Sequence, residues 1–425
     1  MANTRGKAYG ILKNIFENRA YSDIALDAAL SRSTLDGRDR AFVTNIVYGV
    51  LTNLSFLDYQ IGRYSNIPLR KISDKVKIVL RLSLYQIVFM DKVPDSAAVN
   101  EGVNLAKKAT YKSAGFVNAV LHAFLRGGAV LPPEKDKVKY LSVKYSCPEW
   151  LVKMWLGEFP EEECEKLLAE GNKTPPVTVR VNTLKISKDE LKKLIPCTDG
   201  AAENALNITG RGNIAENEYF KKGYFTVQDA AAQLAVEALG IKENDNVLDM
   251  CAAPGGKTTY ISRFLKGGSV TAWDIYPHKI RLIETAAKRL GCENINAYVH
   301  DAAEPSEELY GKFDRVLLDA PCSGLGIIRK KPDIKWLRKK EDIVTLANEQ
   351  KKLILAAANY VKEGGTLVYS TCTVSRAENE EVTAFFLKER KDFELACEPR
   401  LLLPQKDGTD GFYICAMTRK KDEHF

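Results

Sequence analysis

The sequence predicts a three-part chain: an all-helical N-terminal domain, a small α+β module, and a C-terminal α/β domain on a mostly parallel sheet with helices on both faces. Three observations carry this. Apolar residues recur three and four apart through the first 126 positions, which is the period of helices with one buried face. Beyond residue 240, short apolar runs alternate with helical patterns, the signature of a parallel sheet with crossover helices. At 425 residues, 45% of them hydrophobic, the chain exceeds what one core supports and has the material for several.

The first domain, 1–130, is read from clusters such as Ile11, Leu12, Ile15, Phe16 and Phe42, Val43, Ile46, Val47, Val50, Leu51, Leu54. Gly127-Gly128 followed by Leu131-Pro132-Pro133 ends it, because glycine favours helix C-caps and proline cannot continue a helix. The module, 131–232, opens with a helical pattern from 137 to about 170. Pro175-Pro176 then introduces a strand at 177–181, and a short helix is expected at 188–195. A helix from Gln228 to Leu239 leads into the third domain, 233–425. There the expected strands are 246–249, 269–274, 295–299, 313–319 and 366–370, and the expected helices 257–266, 277–290 and 341–361.

The formal net charge of +7 is uneven: residues 1–130 carry +8 and the remainder −1. The basic end is therefore a candidate phosphate-binding surface. Nine cysteines are scattered without a Cys-x-x-Cys pair or a Cys/His cluster, so no metal is expected and a reducing cytoplasm fits best. The N-terminus lacks an apolar signal region, and the longest apolar stretch, Val79 to Met90, is interrupted by Arg81 and Gln86. Neither secretion nor membrane insertion is expected.

Asp249, Asp274, Asp301 and Asp319 each fall at or just past the end of a predicted strand. One such aspartate is as readily a helix cap. Four in succession along the edge where open parallel sheets bind ligands point to a site for a cationic or polyhydroxylated cofactor. Asp274, ending the second strand, is where a doubly wound fold places a carboxylate on ribose hydroxyls, and Pro254-Gly255-Gly256 lets backbone approach a ligand closely. Gly255-Gly256-Lys257-Thr258 also suggests a phosphate loop. That motif requires glycine where this chain has Cys251, which argues against a nucleotide hydrolase.

Cys322, in Asp319-Ala320-Pro321-Cys322-Ser323-Gly324, and Cys372, in Ser370-Thr371-Cys372-Thr373, follow strand ends on the same edge as the aspartates. A thiolate adds readily to an electron-poor ring carbon and can leave again, whereas most free cysteines are only small buried hydrophobes. Cys251, Cys292, Cys397 and Cys415 are expected to be of the buried kind. Residues 329–340, with seven basic residues in twelve and Trp336 among them, read as a contact for a nucleic-acid strand.

The motifs Asp249–Thr259, Asp319–Gly324 and Ser370–Thr373 resemble, in order and spacing, those of RNA cytosine-5 methyltransferases that use S-adenosylmethionine. The resemblance implies a Rossmann-type, seven-stranded methyltransferase domain. It implies a cofactor loop of Cys251, Ala252, Ala253, Pro254, Gly255, Gly256 and Lys257, with Asp274 on the ribose, Asp301 on the adenine and Asp319 between cofactor and target base. Cys372 would attack the base and Cys322 would assist release. DNA cytosine-5 methyltransferases attack with the Pro-Cys cysteine instead, so the opposite assignment stays open.

The basic helical domain resembles the NusB-type RNA-binding domain, most recognisably at Gly37-Arg38-Asp39-Arg40-Ala41-Phe42-Val43. Within the family such a domain marks enzymes acting on bacterial 16S ribosomal RNA, so that RNA is the expected partner of a monomeric enzyme. The alternative is a non-enzymatic NusB-like RNA-binding factor with a decayed methyltransferase domain. The intact glycine turn and both thiols argue against decay.

Overall fold

The computed structural model describes residues 4–210 and 212–421, so the expected domain limits at 1 and 425 lie outside the described residues. The chain divides into two compact units, Met1–Thr174 with Ile328–Arg338, and Pro175–Ile327 with Lys339–Phe425. This division differs from the expected break at 130. The helices Lys137–Lys144, Glu149–Glu158 and Glu161–Glu170 belong to the first unit, and Ser146 Oγ accepts from Ser55 N at 2.8 Å there. The glycine and proline break is visible in sequence, whereas this packing across it is not.

In the first unit the helix Asp74–Phe89 is apolar nearly all round and buries nine residues, as a central helix must. Thr4–Asn18, Gly37–Thr52, Leu54–Tyr64 and Ala114–Gly127 bring one apolar face each to the same core. Asp36 caps Gly37–Thr52 by accepting from Asp39 N, and Gly128, at φ 72°, ends Ala114–Gly127.

In the segment Ile328–Arg338, part of the expected nucleic-acid contact at 329–340, two of the residues face protein groups instead. Ser22 donates from both its amide and its hydroxyl to Asp333, and Trp336 Nε1 donates to Leu51 O at 2.6 Å. Lys335 Nζ, on a side chain only 1% exposed, donates to Thr52 O at 3.1 Å, Ser146 O at 2.8 Å and Asn172 Oδ1 at 3.2 Å. The tryptophan and the central lysine are thus committed to protein partners.

The second unit holds two sheets. The smaller is antiparallel, in the order β2-β3-β1-β4, from β1 (Val177–Val181), β2 (Cys197–Asp199), β3 (Ala205–Ile208) and β4 (Phe225–Val227). The larger contains β5 (Asn246–Asp249), β6 (Ser269–Asp274), β7 (Ile295–Val299), β8 (Phe313–Asp319) and β9 (Val361–Thr371), together with β10 (Phe393–Leu395), β11 (Arg400–Leu402) and β12 (Phe412–Arg419). Its order is β10-β12-β9-β8-β5-β6-β7, seven strands on the main path with β11 paired to β12. β5 to β9 pair in parallel and the β12 edge is antiparallel. The order reverses between β5 and β8, and ligands bind at that crevice in such sheets. Among the described residues, no helix is long and apolar enough to cross a membrane.

Burial lowers the pKa of Lys335 from the ordinary 10.5 to about 8. Between those values the unfolded chain holds more protons than the folded one, so this lysine's contribution to stability rises with pH across that window. The wild type should therefore gain about 2 kcal/mol relative to Lys335→Met between pH 7 and pH 10, measured by denaturant unfolding. A pH-independent difference would mean that Lys335 stays hydrated.

Candidate active site

The turn after β5 sets the site. β5 ends at Asp249, and the chain turns through Cys251–Gly255 into the helix Gly256–Ser262. Gly255 adopts φ 96°, and a Cβ there would lie 3.0 Å from Ile283 Cα, so both conformation and packing demand glycine. Ala253 N donates to Asp274 Oδ2 at 3.3 Å, joining the turn to the end of β6.

A cavity of about 470 Å³ opens at this strand edge. Cys251, Ala253, Asp274, Asp301 and Asp319 of the expected cofactor residues line it, and so do both Cys322 and Cys372. Ala252, Pro254, Gly255, Gly256 and Lys257 lie outside its lining and build the turn. Asp249 is fully buried, accepts from Thr258 Oγ1 at 2.7 Å and leaves Oδ1 without a partner among the described residues. Burial first, then the charges of Asp319 and Asp274, push its pKa up to about 7 against the opposing effects of Thr258 and Lys257.

Asp319, ending β8, accepts from Lys257 Nζ at 2.6 Å on one oxygen and from Ser370 Oγ at 2.8 Å on the other. Burial alone would lower the Lys257 pKa, but the Asp319 carboxylate outweighs it and holds the ammonium above its ordinary value. Beyond Asp319 and Ser370, the sulfurs of Cys322 and Cys372 are 3.3 Å apart. Cys322 is pushed well above an ordinary thiol, first by its hydrogen bond to the Cys372 sulfur and then by burial. Of the cysteines expected to be plainly buried, Cys415 is so, Cys292 is half-buried, Cys251 lines the cavity and Cys397 is exposed.

Sequence reasoning missed two charged residues beside this site. Arg180, on β1, is buried and donates to Gly256 O at 2.6 Å, Thr259 Oγ1 at 3.0 Å and Gln228 Oε1 at 2.5 Å, with its guanidinium 4.6 Å from the Tyr260 ring centre. Glu378, fully buried, accepts from Ser323 and Gln350. Strand alternation places Arg180 on the face opposite Val179 and Val181, so nothing in the sequence marked it as buried. Glu378 sits in an acidic run that reads as a solvated helix start.

A family model described as 16S rRNA methyltransferase RsmB/F matches residues 236–418, one for the NusB family matches 2–126, and one for an RsmF/B-like ferredoxin-like domain matches 147–205. A relative described as probable ribosomal RNA small subunit methyltransferase B, from Bacillus subtilis (strain 168), is 39% identical over 98% of this chain and 99% of its own. The chain belongs to the RsmB/F family of 16S rRNA methyltransferases.

A second RsmB relative, described in the same words and from Synechocystis sp., is 34% identical over 99% of this chain and 100% of its own. Among solved structures, PH0851 matches 97% of this chain and 98% of its own with a TM-score of 0.80 at 25% identity. NSun6 from Pyrococcus horikoshii, solved with SFG, matches 65% of this chain and 99% of its own with a TM-score of 0.58 at 26% identity. The chain is therefore an enzyme of the methyltransferase class, with an RsmB-type arrangement of NusB, ferredoxin-like and Rossmann-like parts. The decayed, non-enzymatic alternative is not favoured.

Replacing Arg180 by methionine removes three charge-assisted hydrogen bonds and leaves Gly256 O without that donor at the start of its helix. We expect a loss of roughly 3 kcal/mol in denaturant unfolding of the full chain. A loss below the error of that measurement would show that the turn holds itself.

Proposed function

We propose that this enzyme transfers a methyl group from S-adenosylmethionine to carbon 5 of a cytosine in 16S ribosomal RNA through a covalent adduct at Cys372. The observation that carries the reading is the meeting of two thiols, 3.3 Å apart, in the cavity that Asp274, Asp301 and Asp319 also line.

The residues fit the cofactor. A volume of about 470 Å³ suits a ligand of this size, and the orphaned Asp249 oxygen, with the Asp319 and Asp274 carboxylates near it, favours a cationic group nearby. Asp274 would hold the ribose hydroxyls and Asp301 the adenine edge, while the turn from Cys251 to Lys257 would back the cofactor. When bound, S-adenosylmethionine supplies an electrophilic methyl group on a sulfonium. NSun6, a similar structure, was solved with SFG, an analogue of that cofactor, which agrees with this use of the fold.

Cytosine carbon 5 is a poor nucleophile until the ring loses its aromaticity. The Cys372 thiolate adds to carbon 6, forming a carbon–sulfur bond and moving an electron pair toward carbon 5, which then accepts the methyl group. Removal of the carbon 5 proton returns the electron pair to the ring and expels Cys372 as a thiolate. Cys322, its sulfur 3.3 Å from that of Cys372, assists that elimination by taking the carbon 5 proton once it has given up its own. Asp319, fixed by Lys257 and Ser370, hydrogen-bonds the cytosine and stabilises the adduct. The target base must leave its stack to reach this depth, at a cost of a few kcal/mol.

Cys322→Ala enzyme, mixed with unmodified 16S rRNA and S-adenosylmethionine, should accumulate an RNA–protein adduct that survives a denaturing gel. Cys372→Ala should form none. An adduct that forms in Cys372→Ala but not in Cys322→Ala would reverse the two roles. Methylation undiminished in both variants would remove cysteine from the mechanism.

A further inference from the structure

We infer that Glu378 is a positioning residue for both thiols: its buried carboxylate fastens the loop of Cys322 to the loop of Cys372, so that the two sulfurs face one point of the cavity. The inference rests on the cysteine chemistry proposed above and assigns a role to a residue outside it.

The carboxylate grips the residue that follows each cysteine. Ser323 N donates to Oε1 at 2.8 Å and Ser323 Oγ to Oε2 at 2.5 Å, while Thr373 Oγ1 lies 3.4 Å from Oε2 and 2.8 Å from Ser323 Oγ. Gln350 Nε2 bridges from Oε1, at 3.1 Å, to Pro321 O, at 2.8 Å, which holds the other side of Cys322. The neighbouring backbone and side chains repeat the pattern. Tyr369 OH donates to Glu378 O at 2.6 Å, Asn379 Nδ2 to Thr373 O at 3.0 Å, and Gly326 N to Cys372 O at 3.0 Å.

Electrostatics argues that geometry is the purpose. A fully buried carboxylate is costly to desolvate, and beside two thiols its charge opposes ionisation, as it does for Cys322. A group serving only to generate thiolate would be basic. A carboxylate instead offers two acceptor oxygens at a fixed spacing, which is what joining two loops requires.

The test uses full-length enzyme, S-adenosylmethionine and 16S rRNA transcribed with 5-fluorocytidine. Fluorine replaces the proton that elimination must remove, so the adduct is trapped and its rate of formation can be followed. In parallel, the rate at which diamide oxidises the Cys322–Cys372 pair to a disulfide reports how often the sulfurs meet. There the two thiols lose two protons and two electrons, and the azo bond of diamide takes them up. Calorimetry with S-adenosylmethionine checks that each variant is folded.

Glu378→Ala should slow adduct formation by about a hundredfold, since displacement by an ångström or so costs that much. Disulfide formation should slow with it, and cofactor affinity should stay unchanged. Glu378→Gln, of equal length and able both to accept from Ser323 N and to donate to its hydroxyl, should retain most of both rates. Wild-type rates in Glu378→Ala would overturn the inference. So would slow adduct formation with disulfide formation intact, or a folded Glu378→Gln as slow as Glu378→Ala. If Glu378→Ala binds no cofactor, Ser323→Ala takes its place: an intermediate loss of both rates supports the clamp and unchanged rates refute it. A wild type that forms no adduct refutes the cysteine mechanism, while the diamide rates still report whether Glu378 sets the spacing.

Discussion

The carboxylate of Asp319 joins three strand ends, and the site is arranged around it. Asp319 closes β8, Lys257 reaches it from the first turn of the helix Gly256–Ser262, and Ser370 reaches it from the end of β9. Neither partner could be supplied by a flexible surface chain. Lys257 is half-buried, and the Asp319 carboxylate that it meets holds its ammonium above the ordinary value against the opposing effect of burial. Through this contact the turn that backs the proposed cofactor site and the loops that carry the thiols become one rigid edge.

Strand register delivers the chemistry. β8 and β9 pair in parallel with Asp319 opposite Ser370, so the loops leaving the two strands start at the same level and on the same side of the sheet. Cys322 lies three residues past Asp319 and Cys372 two residues past Ser370. A slip of one residue would turn the side chains at these positions to the opposite face. The 3.3 Å separation of two cysteines 50 positions apart in sequence is in this sense a property of the sheet, refined by hydrogen bonds between the loops.

Where the residue type alone implied a place, the sequence was legible. Strands 246–249, 269–274, 295–299 and 313–319 were expected and occur at those limits, because each is a short apolar run closed by an aspartate or a glycine-bearing loop. β9 is longer than the expected 366–370 because its pairing with β8 continues across Gly364-Gly365 through a register irregularity to Val361. The antiparallel edge beyond residue 390 had no expectation, although β12 is an apolar run from Phe412 to Met417. Arg180 and Glu378 were illegible for a different reason. A charged side chain is read as solvated unless its partners are known, and all of those partners but Thr373 lie 28 to 79 positions away.

The segment Ile328–Arg338 shows where density of charge misleads. Counting seven basic residues in twelve treats each lysine as equivalent, but Lys335 is enclosed by three neutral acceptors while Lys339 and Lys340 are exposed. An enclosed ammonium without a carboxylate is tolerable only if its acceptors are fixed, and these come from three separate stretches of the first unit, at Thr52, Ser146 and Asn172. Asp333 on Ser22 and Trp336 on Leu51 O fix the same short helix at two further points. Each contact would be lost together with the others, so the segment is a cooperative part of that unit's packing. A helical domain cut at residue 130 would lack both this segment and the helices that supply Ser146 and the approach to Asn172. The basic excess of residues 1–130 thus belongs to a larger folded body than the stretch of sequence in which it is counted.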